Sequence, residues 1–225
     1  DPIMAADRIY ESLEGKNIMG RGNHFVDVCT PISNNNIREA PHNLLVIHSD
    51  GKSYDSSIPQ NAYEARLKQE HAELFRYMLG DSLAKAIGVD AEFLGNWTHN
   101  FVEETDNKVI YRKGVVKVSD GQIHMLPSSL GAKIWFYTVR QNHMPPYDSM
   151  PHATGRSGPR GLTKVDETTA AELRNMVYIP PKISDSALRT EHPSCYNGFE
   201  RIIESLKEFI VPLGSARILS YVGKV

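Results

Sequence analysis

The sequence predicts an α+β fold, mixed β-sheets with flanking helices, formed as one domain over residues 1–225. Three observations carry this expectation. Compact apolar runs and amphipathic runs follow one another without a clean βαβ alternation. No internal repeat, low-complexity tract or linker-like stretch divides the chain. Its 40% hydrophobic and 23% charged residues are the proportions of an ordinary globular domain rather than a disordered one.

The elements follow in chain order. Residues 1–13 read as a short helix and Asn23 to Cys29 as a strand. Ser33-Asn34-Asn35-Asn36 reads as a turn, because Asn tolerates left-handed backbone and Ser bonds its local backbone. Leu44 to Ile47 is a buried strand running into His48, and His48-Ser49-Asp50-Gly51-Lys52-Ser53 is a polar loop off its end. Tyr63, Leu67, His71, Leu74, Phe75 and Met78 recur at three- and four-residue spacing, which predicts a helix that Gly80 ends. On that stripe His71 reads as a hydrogen-bonded core histidine. Asp81 is placed to cap a second short helix through Ile87. Val109 to Val118 reads as a strand interrupted at Gly114, and Ile134 to Val139 as another. Pro145 to Arg160 has no periodicity and reads as a long loop, of the kind that is functional or disordered. Asp166 to Val177 reads as a helix with acidic residues in its first turn. Phe199, Ile202, Ile203, Leu206, Phe209 and Ile210 trace one face of an amphipathic helix, and Ala216 to Val222 is a last strand before Lys224.

Composition excludes several classes. No apolar run approaches the roughly 20 residues that cross a bilayer, and the N-terminus lacks a secretory pattern, so no membrane partner is expected. Two cysteines, Cys29 and Cys195, make no disulfide framework, which points to a reducing, cytoplasmic setting. With a net charge of −2, any nucleic-acid binding rests on local basic patches. The first residue is Asp1 rather than Met, as in a processed or partial chain.

The unusual feature is nine histidines. His24, His48, His99 and His152 lie at strand ends or in polar loops, unlike His71. Imidazole is the commonest nitrogen ligand of transition metals, and three such residues converging from separate strands form an open catalytic site. Their spacing matches neither a zinc finger nor a His-Glu-x-x-His helix, so dispersed core or surface histidines are the competing reading. Gly155 and Arg156 follow His152 closely. Gly155 offers close backbone approach, and Arg156 or Arg160 a guanidinium fork for phosphate oxygens, a setting suited to a histidine that attacks phosphorus; a solvated basic loop is the competing reading. Arg112-Lys113-Gly114 reads as a phosphate or RNA contact, or as an exposed strand edge. Pro127-Ser128-Ser129-Leu130-Gly131 reads as a ligand cradle or an ordinary turn.

Taken in order, these segments resemble the RtcB family of RNA ligases. Gly22-Asn23-His24-Phe25-Val26-Asp27 is similar to its Gly-Asn-His-Phe-x-Glu strand, and His48-Ser49 to the start of its His-Ser-Gly-Ser-Arg loop. Thr98-His99-Asn100-Phe101, Arg112-Lys113-Gly114, Ser128-Ser129-Leu130-Gly131 and His152-Ala153-Thr154-Gly155-Arg156 resemble further family elements. Tyr196 with the helix after it, and then Lys224, fit the closing segment. The resemblance spans nearly all of this chain and about the C-terminal two-thirds of a family member.

The resemblance implies an RtcB-like fold and a GTP- and Mn2+-dependent ligase. Such an enzyme joins an RNA 3′-phosphate or 2′,3′-cyclic phosphate to a 5′-hydroxyl through a histidine–GMP intermediate. It implies His152 as the guanylated nucleophile and His24, His48 and His99 as ligands of one or two Mn2+ ions. It places Asn23, Asp27, Ser129, Gly155, Tyr196 and Lys224 around the nucleotide, and Arg112, Lys113 and Arg156 against phosphate or RNA. The family's Asp-x-Gly-Cys segment, which supplies a bridging thiolate, has no counterpart among these residues. It is expected before Asp1 or on a partner, and an activating protein is a further expected partner. Cys29 is an odd number of residues from His24, so on a regular strand it faces the other way and does not replace that thiolate. Asp27 stands for a glutamate, and Lys52 for the loop arginine. Two alternatives follow from these departures: a binding module for guanine nucleotide or RNA ends, and a metal-dependent phosphodiesterase acting on RNA ends.

Overall fold

In the computed structural model, residues 1–16, 18–19, 23–32, 43–49 and 59–224 are described. The expected Ser33–Asn36 turn and the Asp50–Ser53 part of the polar loop lie outside them. Helix α1 (Pro2–Leu13) begins where Asp1 accepts the amide of Ile3 and Pro2 fits the first helical position. Ala6, Ile9 and Leu13 then fall on one buried face.

The central sheet has the order β2-β1-β9-β7-β6, with β1 (Phe25–Pro31), β2 (Leu44–His48), β6 (His124–Leu126), β7 (Lys133–Val139) and β9 (Ile210–Gly223). Every ladder in it is antiparallel, so the mixture expected within the sheet reduces to isolated parallel bridges at Asp120–Val139 and Tyr178–Ser220. The α+β architecture with flanking helices is as expected. Two register shifts, opposite Val28/Cys29 and opposite Phe136/Tyr137, each insert an extra residue into β9. Bulges of this kind bend the strand and raise its twist, which curls the sheet.

One face of the sheet carries Val26, Val28 and Val222 against Ile9 and Leu13 of α1 and Leu79 and Leu83 of α2 (Ala62–Ile87). The other carries Cys29, Val46, Ile134, Ile218 and Tyr221 against Leu173, Val177 and Leu188. These last belong to a segment that contains α3 (Glu167–Ala171), a 3₁₀ turn (Glu172–Asn175) and α4 (Asp185–Leu188). A third cluster joins Leu126, Tyr137 and Val139 to Leu206 of α5 (Phe199–Leu206).

Three sequence expectations are corrected here. Helix α2 runs through Gly80 to Gly88, which adopts the left-handed cap at φ 74°; Asp81 lies inside it, paired with Lys85 at 2.7 Å. A mid-helix glycine costs about 1 kcal/mol relative to alanine, and the buried face formed by Phe75, Leu79, Leu83 and Ile87 outweighs it. The expected stripe is rotated away: Tyr63, Leu67, Leu74 and Met78 are exposed. Helix α5 stops at Leu206, and Phe209 and Ile210 leave it for the turn into β9 and the start of that strand. The loop at Pro145–Arg160 contains a tight turn with Tyr147 and Asp148 at positive φ, followed by a short strand β8 (Ser149–Pro151).

Outside the sheet, β3 (Asn100–Thr105) and β4 (Lys108–Lys113) form a hairpin, and β5 (Val115–Lys117) pairs with β8. The hairpin and this pair meet at Gly114, which is where the histidines come together. Among the described residues no helix is long and apolar enough to cross a membrane.

Candidate metal centre

His48 ends β2, His99 precedes β3, and His152 follows β8. One ring nitrogen from each lies within 4.8 Å of those of the other two. The His99 and His152 rings stack with centroids 4.2 Å apart, and His48 lies 5.2 Å from His99 and 6.4 Å from His152.

Two of the three rings are anchored by backbone carbonyls. His48 Nδ1 lies 2.5 Å from the Asn23 carbonyl oxygen, and its ring stacks on Phe25 at 5.4 Å. His152 Nδ1 lies 2.7 Å from the Gly114 carbonyl oxygen. A carbonyl only accepts, so both Nδ1 atoms carry the proton and leave Nε2 as the nitrogen with a lone pair. Gly114 also donates its amide to the His99 carbonyl at 2.7 Å. Its φ of 72° is the left-handed conformation that glycine adopts without strain, and it lets one residue serve two histidines.

Arg76 of α2 clamps the other side. Its guanidinium donates to the Ser49 carbonyl (3.0 Å), Thr98 Oγ1 (2.9 Å) and Asn96 Oδ1 (2.7 Å), groups that flank His48 and His99 in sequence. Thr98 in turn donates to Glu73 at 2.6 Å. The sequence reading did not single out Arg76; on a helix its charge looks like part of a solvated face.

Burial lowers all three imidazoles: His48 to about 4, His99 to about 3, and His152 below its usual value. The neighbouring histidines and the Arg76 charge push His48 and His99 in the same direction. Three neutral imidazoles, two of them with Nδ1 engaged by backbone carbonyls, are a donor set suited to a transition metal. A divalent cation fits this set, and His48, His99 and His152 are the residues that would hold it.

Of the expected ligands, His24 is buried beside the group, its ring 5.7 Å from that of His48, but the convergent nitrogens belong to His48, His99 and His152. Cys29 is not at the centre. The extra residue at the register shift belongs to β9, so β1 keeps its alternation and Cys29 points into the core with Leu44 and Ile218. Burial, with the charge of Asp27 nearby, pushes its thiol well above the usual range.

Asn23 joins the histidines to a second polar cluster. With the amide nitrogen turned toward it, Asn23 donates to Glu191 at 2.9 and 3.3 Å. Glu191 is only 3% exposed, and around it lie Lys224 Nζ (2.8 Å), Arg160 (3.0 Å), Arg156 (3.6 Å), Tyr196 Oη (2.9 Å) and Thr190 Oγ1 (2.8 Å). Burial raises its carboxyl, but Lys224, Thr190 and Tyr196 together hold it below the usual range. Burial and then the Glu191 charge push Asp27 well above its usual value, and Asp27 Oδ1 meets no hydrogen-bond partner.

Glu191 escaped the sequence reading; its one signal is that it is the lone acidic residue between Ser186 and Phe199. Of its partners, Asn23, Tyr196 and Lys224 were expected near a nucleotide and Arg156 against phosphate or RNA, and the structure draws all four to one carboxylate. Arg156 also stacks on the Tyr196 ring at 4.5 Å. Gly155, at positive φ, accepts the Asn197 amide at 3.0 Å. Ser129 is buried in the loop where Ser128 Oγ meets Thr154 Oγ1 at 2.9 Å.

Arg112, expected against phosphate or RNA, is buried in a network of side-chain and backbone bonds. Its guanidinium faces inward and donates to Glu103 (2.7 Å), Ser149 Oγ (2.9 Å) and the Tyr147 carbonyl (2.7 Å), above the Phe101 ring at 4.7 Å. Strand alternation then turns its neighbour Lys113 to the surface, opposite Asn100.

Comparison with known families finds no family model that matches the chain, and no curated protein matches it.

Proposed function

We propose that the chain is an RtcB-like, GTP- and Mn-dependent RNA ligase that joins 3′-phosphate or 2′,3′-cyclic phosphate ends to 5′-hydroxyl ends. One observation carries the reading: Asn23 links the cluster of His48, His99 and His152 directly to Glu191, Lys224, Arg156 and Tyr196. The imidazole cluster and the cationic side chains thus meet at one asparagine.

On this reading His152 Nε2 attacks the α-phosphorus of GTP, the bond to the β-phosphate oxygen breaks, and pyrophosphate leaves. The Nδ1–H bond to Gly114 orients the ring and supports the positive charge that builds on it. An RNA 3′-phosphate oxygen then takes the guanylate from His152, and the 5′-hydroxyl displaces GMP to close the phosphodiester. A 2′,3′-cyclic end is first opened by water to the 3′-phosphate. These are in-line displacements in which positioning and charge neutralisation do most of the catalysis. Lys224, Arg160 and Arg156 supply cations for the phosphates. A divalent metal, when bound, withdraws charge from phosphate oxygens and activates the attacking phosphate.

The test is incubation with α-labelled GTP and Mn2+, followed by a denaturing gel. A labelled band stable to base, lost in acid and absent from His152→Ala is expected. Its absence from zinc-free protein supplied with Mn2+ would reject guanylylation and leave a binding module.

A further inference from the structure

We infer that His48, His99 and His152 form a three-histidine zinc site in which His152 is a ligand and His24 is not. The grouping of nitrogens within 4.8 Å includes His152 and omits His24. His152 is also prepared for this role. Its Nδ1 is engaged by the Gly114 carbonyl, as His48 Nδ1 is by that of Asn23, and both arrangements aim Nε2 away from the scaffold. Gly114 ties the His99 backbone to the His152 ring, so these two ligands move as one unit.

The donor set selects the metal. Three uncharged imidazoles carry no negative charge, and among the described residues no carboxylate or thiolate joins the group. Manganese prefers carboxylate and water oxygens and stands lowest in the divalent affinity order, whereas zinc is suited to imidazole nitrogen. Three histidines with an open fourth position make a catalytic-type rather than a structural zinc site.

The inference rests on reading this cluster as metal-binding, and it adds a regulation to the ligase reading. A nitrogen that coordinates a cation has no lone pair left for phosphorus. Zinc at this site therefore occupies the nucleophile, and guanylylation requires His152 to leave the metal.

The experiment uses the intact chain, stripped with chelator and titrated separately with Zn2+, Mn2+ and Co2+. A single equivalent of zinc is expected, with manganese more than about tenfold weaker. Cobalt should show the intense visible absorption of a four-coordinate ion. His152→Ala and His152→Gln should each lower zinc affinity at least about tenfold, while His24→Ala changes it less than about twofold; circular dichroism checks that all three fold. Loss of zinc in His24→Ala with retention in both His152 variants would overturn the inference, as would manganese binding as tightly as zinc. Labelling by GTP separates the two readings. An adduct on His152 with a contrary zinc profile sinks this inference alone, and the expected zinc profile with no adduct on zinc-free protein given GTP and Mn2+ sinks the ligase reading alone.

Discussion

Replacing Arg112 by methionine keeps most of the side-chain volume and removes the charge. Three hydrogen bonds from the guanidinium are lost, those to Glu103, Ser149 and Tyr147, together with its stacking on Phe101. Breaking a buried ion pair from one side costs about 3–5 kcal/mol. Here the partners are not wholly orphaned: Glu103 keeps Lys117, and the Tyr147 carbonyl keeps the hydroxyl of Ser149. The lower end, about 3 kcal/mol, is therefore expected, and for a chain of this size it lowers Tm by roughly 6–12 °C. The loss also reaches the metal centre, because Arg112 fastens the hairpin that follows His99 to the strand that precedes His152. Differential scanning calorimetry of Arg112→Met, Glu103→Gln and the double variant measures the effect and the coupling between the two. A Tm within about 2 °C of the parent would refute the structural role. If RNA affinity fell at the same time, with a shallower salt dependence, Arg112 would be a surface phosphate contact instead.

Acid should destabilise the metal-free protein through the histidines. His48 and His99 titrate near 4 and 3 in the fold but near 6.5 in the unfolded chain, which therefore takes up more protons as the pH falls. Stability should be full above about pH 7 and fall by about 2 kcal/mol per histidine at pH 5; urea melts showing no loss between pH 7 and 5 would contradict this. Glu191→Gln leaves Lys224, Arg160 and Arg156 without their shared carboxylate and should cost about 3 kcal/mol. Adding Lys224→Met should recover at least about 1 kcal/mol, and simple additivity in denaturation would reject the pairing. Cys29→Ala should cost about 1–2 kcal/mol by opening a small core cavity while leaving metal content unchanged. Loss of metal in that variant would place the thiol at the centre after all.

The strands around the site were readable because their signals are local. Leu44 to Ile47 is an apolar run that ends in a histidine, and Ile134 to Val139 fills β7 almost completely. Helix α2 misled because periodicity marks every apolar face, whereas only the face toward α1 and the sheet finds something to cover it. Gly80 looked like a stop for the same reason: the weight of a mid-helix glycine depends on packing that lies elsewhere in the chain. In the site, His48, His99 and His152 could be singled out by their places at strand ends. Which three share a point in space could not, since it depends on Gly114 and on a hairpin folding back. Arg76 and Glu191 were invisible because their importance lies in partners that are distant in sequence. Arg76 reaches 27 residues back to Ser49, and Glu191 is met by Asn23 from the first strand region.

Strand β9 lies between β1 and β7, yet every other element of the chain precedes it. On a ribosome, β1 with β2 and β6 with β7 emerge first and wait as two separate hairpin-like halves. Each has an unpaired edge, the kind that invites mispairing. The strand that closes both edges also positions Lys224 beside Glu191. Assembly of the sheet and completion of the polar cluster are thus one late event, and a nascent chain should show neither the cooperative stability nor the chemistry of the finished one. Joining residues 25–31 to residues 210–223 also closes a very long loop, which places folding on the slow side for a domain of this size.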